Sequence, residues 1–195
     1  MMLRWLLVVG VLAVLAGSSR SPQQAYACHP SGFFDKRVNL DGDRAKEEVI
    51  AVDNHDCQHT TFQAYVHIRD HCDGAWQTYD LHSDRQVLEQ FKIVNADGWT
   101  RRPEVFFVTR SFKNPATDIA EVVRLEDRPS GCARAHALFA YSPKDATVQG
   151  FSVELKNAAP QFRGLEVVLT TWDAMKRTVT TFRYDRKHGR YVVYG

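Results

Sequence analysis

After its first two dozen residues, the sequence has no apolar run long enough to cross a membrane as a helix. The run from Trp5 to Gly17 is about 13 residues, where a span takes roughly 20. It also lacks an excess of charge of one sign. Lys plus Arg number 25 against 23 Asp plus Glu, and the surplus of two is Arg4 and Arg20, both near the N-terminus. With no basic tail or stripe to neutralise phosphates, binding to nucleic acid is not expected. The motifs of the common nucleophile and phosphate chemistries are missing too. There is no Gly-x-Ser-x-Gly, no His-Glu-x-x-His and no glycine-rich phosphate loop. Enzymes that need only two carboxylates brought together by the fold are not excluded by this. Cysteine is sparse, with four in the chain.

What is present first is an export signal. A short leading segment ends in Arg4, the apolar run follows, and a Ser- and Gln-rich stretch leads to Ala25-Tyr26-Ala27. Charge, apolar core and small residues in that order describe a secretory signal over residues 1–27. Ala16-Gly17-Ser18 offers a second place for cleavage. Cleavage after Ala27 makes Cys28 the first mature residue, so lipidation is an alternative to a free secreted or periplasmic product. A lipobox normally has a Leu-like residue three before the cysteine, where this chain has Ala25. No transmembrane anchor is expected after cleavage. The remaining chain, roughly 168 residues, is long enough for one domain with a real core.

That remainder is written in short β-branched and aromatic runs separated by Gly, Asn, Asp and Pro, the pattern of strands and turns. Only Asp84 to Phe91 reads as a short helical turn. A threefold repeat organises the runs. Asn39, Asn95 and Asn157 each stand nine residues before a glutamate, Glu48, Glu104 and Glu166, that opens a buried-type strand. A variable loop, an alternating strand, a turn and an aromatic strand follow, and a short run leads into the next Asn loop. The expected fold is all-β, with three four-stranded antiparallel meander repeats at about 31–90, 91–147 and 148–195. They would be arranged as a propeller-like or open blade arc, because one meander cannot bury both of its faces alone. A plain β-sandwich is the alternative.

One loop carries recognisable metal chemistry. From Asn39 to Glu47, side-chain oxygens fall at relative positions 1, 3, 5 and 9 (Asn39, Asp41, Asp43, Glu47), and the Ala45 carbonyl is available at position 7. Alternating oxygens on a tight loop converge as a calcium ion requires. A solvated turn in which Asp41 and Asp43 bond neighbouring amides is the alternative use of the same residues. Over Asn39, Asp41, Gly42, Asp43, Glu47 and the strand Val49 to Val52, the chain resembles the FG-GAP or VCBS type of repeat. The resemblance implies a bladed β fold, calcium held for structural reasons, and a role in adhesion or ligand display. It covers the first repeat well, with Asn39 in place of the family's first Asp and Glu47 in place of its closing Asp. The second keeps Asn95 and Asp97 and the third little beyond Asn157, and Arg44 stands where the family usually has Gly.

Four cysteines in an exported chain suggest two disulfides with three possible pairings. In the repeat frame, Cys72 and Cys132 both follow the alternating strand of their units. Cys57 precedes that strand and Cys28 lies at the same end as Cys57. A strand of about eight residues, roughly 25 Å, would separate Cys57 from Cys72, whereas bonded Cα atoms lie within about 7 Å. The expected pairs are therefore Cys72 with Cys132 and Cys28 with Cys57. The same separation sets His55 and His59 apart from His67 and His71, which argues against a soft-metal site built from them.

The functional expectation is an exported, non-catalytic β-repeat module, calcium-stabilised, that binds or adheres to a protein or glycan. Trp76, Tyr79, Trp99, Trp172, Tyr191 and Tyr194 are its candidate contact rings. A small exported hydrolase using paired carboxylates is the alternative. Recurrence of the strand-opening glutamate points to a structural task, since catalytic residues are more often unique.

Overall fold

The computed structural model describes residues 32–43, 45–53, 64–72, 75–82, 86–111, 118–126, 132–143 and 147–194. The export segment, Cys28, Arg44, His55, Cys57 and His59 lie outside them. Among the described residues every regular element is a strand: β1 (Gly32–Val38), β2 (Glu47–Asp53), β3 (Ala64–Cys72), β4 (Ala75–His82), β5 (Gln86–Val94), β6 (Glu104–Ser111), β7 (Ile119–Glu126), β8 (Arg134–Tyr141), β9 (Gly150–Asn157), β10 (Leu165–Trp172), β11 (Arg177–Asp185) and β12 (Arg190–Tyr194). They form three separate four-stranded sheets in simple sequence order, each an antiparallel meander, and none closes into a barrel. The all-β meander repeat read from the sequence is the observed architecture, and it suits an open arc of three blades.

The stacking order follows from which side chains are apolar on which face. Side chains alternate faces along a strand, so a strand between two neighbours must be apolar on both. β6, the second strand of the middle blade, is buried from Glu104 through Thr109. Its Val105 and Phe107 pack with Val49, Ala51, Val66 and Ile68 of the first blade. Its Phe106 and Val108 pack with Phe151, Val153, Val167 and Leu169 of the third. The equivalent strands of the outer blades turn one face to the middle blade, burying Val49 and Ala51 on β2 and Val167 and Leu169 on β10, while Ile50 and Val168 on their other faces are only partly buried. Burying a Phe or Val side chain contributes roughly 1.5 to 3 kcal/mol, so the two inter-blade cores hold the arc together.

The helical turn expected at Asp84 to Phe91 is corrected by the structure, in which Gln86–Val94 is the single strand β5. Its register against β6 shifts between Leu88 and Gln90, leaving Glu89 as the extra residue of a bulge. The bulge moves Leu88 onto the face that carries Phe91 and Ile93, all three of which pack on the first core. A three-residue apolar spacing, normally a helical sign, arises here from a strand with one residue inserted.

Blades two and three are locked at one end by their loops. Leu165 N–H donates to Ala96 O (2.8 Å), and the Tyr191 hydroxyl donates to the same carbonyl (2.9 Å). The backbones approach so closely that a Cβ on Gly98 would lie 2.1 Å from the Gly164 nitrogen, and one on Gly164 would lie 2.3 Å from Ala96 O. Both glycines also have positive φ, 64° and 83°, so neither position admits a side chain.

Blades one and two are joined covalently. Cys72, at the end of β3, and Cys132, just before β8, form a disulfide with Cα atoms 5.1 Å apart. This is one of the two expected pairs; the other, Cys28 with Cys57, lies outside the described residues. Beside the bridge the Tyr79 hydroxyl donates to Ala133 O. Non-reducing peptide mapping should recover Cys72 linked to Cys132, and a Cys57–Cys72 peptide would contradict the blade register. Among the described residues no helix is long and apolar enough to cross a membrane.

Candidate functional site

The first two Asn loops are built alike. In the loop after β1, Asn39 Oδ1 accepts the Gly42 N–H (2.6 Å), while Asn39 Nδ2 donates to Asp43 O. In the loop after β5, Asn95 Oδ1 accepts the Gly98 N–H (2.9 Å), while Asn95 Nδ2 donates to Thr100 O (2.8 Å). Two residues on, Asp41 Oδ1 accepts from Asp43 N–H (3.0 Å) and Asp97 Oδ1 from Trp99 N–H (2.8 Å). Short polar side chains thus satisfy the loop amides that no strand can pair. Asp43 Oδ1 is taken by the Ala45 N–H (2.6 Å). Of the five expected calcium ligands, Asn39 and Asp43 are engaged in local turn bonds and Ala45 contributes its N–H to one of them, whereas Asp41, which also accepts the Asp43 N–H, and Glu47 are buried.

Beneath each loop the strand-opening glutamate has a recurring task. Continuing the ladder registers by one step sets Glu104 opposite Arg124 and Glu166 opposite Arg183. In the middle blade, Arg124 donates to Glu104 and to Asp97, and Glu104 Oε2 also accepts the Ala96 N–H (2.7 Å). In the third, Arg183 Nε donates to Glu166 (2.6 Å). In the first blade the pair nine residues from Asn39 is Glu48 with Arg69 (2.7 Å), on the face turned away from the core. The inward position belongs to Glu47, which accepts the Leu40 N–H as Glu104 accepts that of Ala96. The next step of the register sets Asp70 opposite Glu47, where the middle blade has Arg124.

Asp41, Glu47 and Asp70 each offer an oxygen, all within 4.8 Å of one another, and their residues are 4%, 0% and 2% exposed. Asp70 Oδ2 accepts a long hydrogen bond from Ala133 N–H (3.4 Å). Glu47 Oε1 is buried with no hydrogen-bond partner among the described residues. Burial pushes the Glu47 carboxyl up to about 7. The Leu40 N–H opposes this, while the negative charges of Asp41, Asp70 and Asp43 add to it. Burial raises Glu104 as well, but there Arg124 works in the opposite direction. Arg102 lies against the outside of the same loop, close enough that a Cβ on Gly42 would sit 2.5 Å from its Nε. Asp70 was not among the sequence candidates. The signal that could have found it is its register position, which the other two repeats fill with arginine.

A second feature lies where the loops of blades two and three meet. Trp99, on the Asn95 loop, is 46% exposed and is flanked by the guanidiniums of Arg163 (4.6 Å from its ring centre) and Arg186 (5.1 Å). Next to it Phe162 and Tyr194 lie 5.6 Å apart, with Arg183 over both rings. A hollow of about 160 Å³ opens between Trp99, Phe162, Arg163 and Arg183. Neither Arg163 nor Arg186 forms a salt bridge among the described residues. Of the other candidate rings, Tyr191 is buried in the inter-blade core and Trp172 stands apart at the far end of β10.

Between blades two and three a hollow of about 330 Å³ contains the carboxylates of Glu89 and Asp118. Arg110 bridges them, donating to Glu89 and to Asp118 (3.2 Å). No family model, no curated protein and no solved structure matches the chain.

Proposed function

We propose that the chain is an exported, secreted or periplasmic, non-catalytic β-repeat module that binds an acidic partner, glycan or protein, through the Trp99 patch. One observation carries this reading. Trp99, Phe162 and Tyr194 are exposed together, at 46%, 36% and 50%, beside two arginines that no carboxylate among the described residues neutralises. Large rings left in water are available to a ligand at little conformational cost, and Trp, Tyr and Arg carry most of the energy in recognition surfaces. Arginines held over an aromatic face are pre-positioned for carboxylate or sulfate groups. The resemblance of the first repeat to ligand-displaying FG-GAP or VCBS blades points the same way. Cys72–Cys132 fits an oxidising compartment.

An array presenting carboxylated and sulfated glycans, their neutral counterparts and acidic peptides tests the proposal. Binding should favour the acidic members and weaken as salt is raised. Trp99→Ala and Arg186→Ala should each weaken it about tenfold or more, with little change in melting temperature because both side chains are exposed. Selection of neutral ligands, or unchanged binding in both variants, would sink the proposal.

A further inference from the structure

We propose that the first blade holds a divalent cation, calcium by the chemistry of its donors, between Asp41, Glu47 and Asp70, in the position that the Arg124 guanidinium occupies in the second blade. This is a different ligand set from the loop alone, because it takes Asp70 from β3 and leaves Asn39 and Asp43 to their turn bonds.

Charge distinguishes the three blades. The third blade sets one carboxylate, Glu166, against one guanidinium, Arg183, for a formal balance of zero. The second sets Asp97 and Glu104 against Arg124, for a balance of minus one. The first gathers three buried carboxylates and has Asp70, not an arginine, at the cross-strand position opposite its glutamate. A divalent ion among them would supply at that position the positive charge that Arg124 supplies in the second blade. Buried carboxylates persist when they are paired or bound to metal.

Geometry agrees. Calcium–oxygen bonds of about 2.3 to 2.6 Å place two oxygens of one shell no more than about 5 Å apart, and the three carboxylates meet that limit at 4.8 Å. The donors are all hard oxygens, and three carboxylates supply three to six of the six to eight that calcium takes. An independent sign of a missing ligand is Glu47 Oε1. It is fully buried, belongs to the group that converges there, and has no partner among the described residues, while the other oxygen of the same carboxylate is satisfied by Leu40. In the second blade the corresponding glutamate is satisfied on both oxygens, by Ala96 and by Arg124.

Isothermal titration of the disulfide-bonded chain with calcium chloride, after dialysis against chelator, tests the site. One calcium should bind per chain. Asp70→Asn should weaken binding at least tenfold. Asp70→Arg, which rebuilds the pairing of the second blade, should abolish it and leave a folded protein whose melting temperature in chelator is no lower than that of the unsubstituted chain. Asp43→Ala should retain calcium to within about fivefold, the worth of a screened exposed charge. The proposal is overturned if the folded chain binds no calcium, or if Asp43→Ala removes binding while Asp70→Asn does not. Should Asp70→Arg fail to fold, Asp70→Asn and Asp43→Ala still decide between these outcomes.

Discussion

Replacing Arg124 by methionine should lower the unfolding free energy by about 3 to 5 kcal/mol, the usual consequence of removing one partner of a buried ion pair. Arg124 lies between Glu104 and Asp97, which are 0% and 1% exposed, and also donates to the Tyr184 hydroxyl of the third blade (3.2 Å). Burial works against its charge, but the hydrogen bond and charge of Glu104 more than offset this and hold the guanidinium firmly protonated. Without it, two carboxylates remain in a dry interface, and the Glu104 carboxyl, already raised by burial, loses the group that opposes the rise. Most of the cost is therefore the uncompensated acids rather than the lost bonds. Urea denaturation measures it, and Arg124→Met combined with Glu104→Gln should recover part of the loss. A loss below about 1 kcal/mol, the range of an exposed pair, would mean that the cluster is hydrated.

The second large effect is on pH dependence. In chelator, the unfolding free energy should fall by about 3 kcal/mol between pH 4.5 and 7, measured as the difference between the unsubstituted chain and Glu47→Gln. Glu47 has a folded pKa near 7 against 4.5 in the unfolded chain. Across that interval the folded state keeps a proton that the unfolded state releases, so stability drops as pH rises. A tenfold difference in proton affinity between the two states corresponds to about 1.4 kcal/mol, which sets the size. Taking the difference from Glu47→Gln removes contributions from other raised carboxyls such as Glu104 and Glu121. Saturating calcium should reverse the slope, because the ion binds the ionised form. A flat difference in chelator would show that Glu47 ionises freely and that its surroundings are not short of positive charge.

The fold was legible in the sequence to the extent that it is local or periodic. The all-β strand-and-turn pattern, the threefold repeat and the Cys72–Cys132 bond all follow from alternation, turn residues and the length of a strand. The bulge at Glu89 was not legible, since one inserted residue turns period two into a spacing that imitates a helix. The site was legible only in part. Counting nine residues from the loop asparagine finds Glu104 in the second repeat, but in the first it finds Glu48, one residue beyond the inward position. In a strand a slip of one exchanges the faces, so Glu48 pairs outward with Arg69 while Glu47 takes the buried place. Asp70 was hidden for a related reason: its role depends on a cross-strand register, and the β2–β3 connection that separates it from Glu47 differs in length from those of the other repeats. The Trp99 patch joins residues far apart in sequence at the meeting of two loops. Trp99 and Tyr194 were visible as candidates, whereas Phe162 and the arginines that define the patch's chemistry were not.

The central claim is that neighbouring blades meet the same buried-carboxylate problem with different cations, an arginine of the chain in one and an ion from solution in the other. The most direct test is the melting temperature of the disulfide-bonded chain as calcium is raised from chelated to millimolar. An ion present at a hundred times its dissociation constant adds about 2.7 kcal/mol, which for a chain of this size is a rise of roughly 5 to 10 °C. A melting temperature that does not move between chelator and millimolar calcium would contradict the claim.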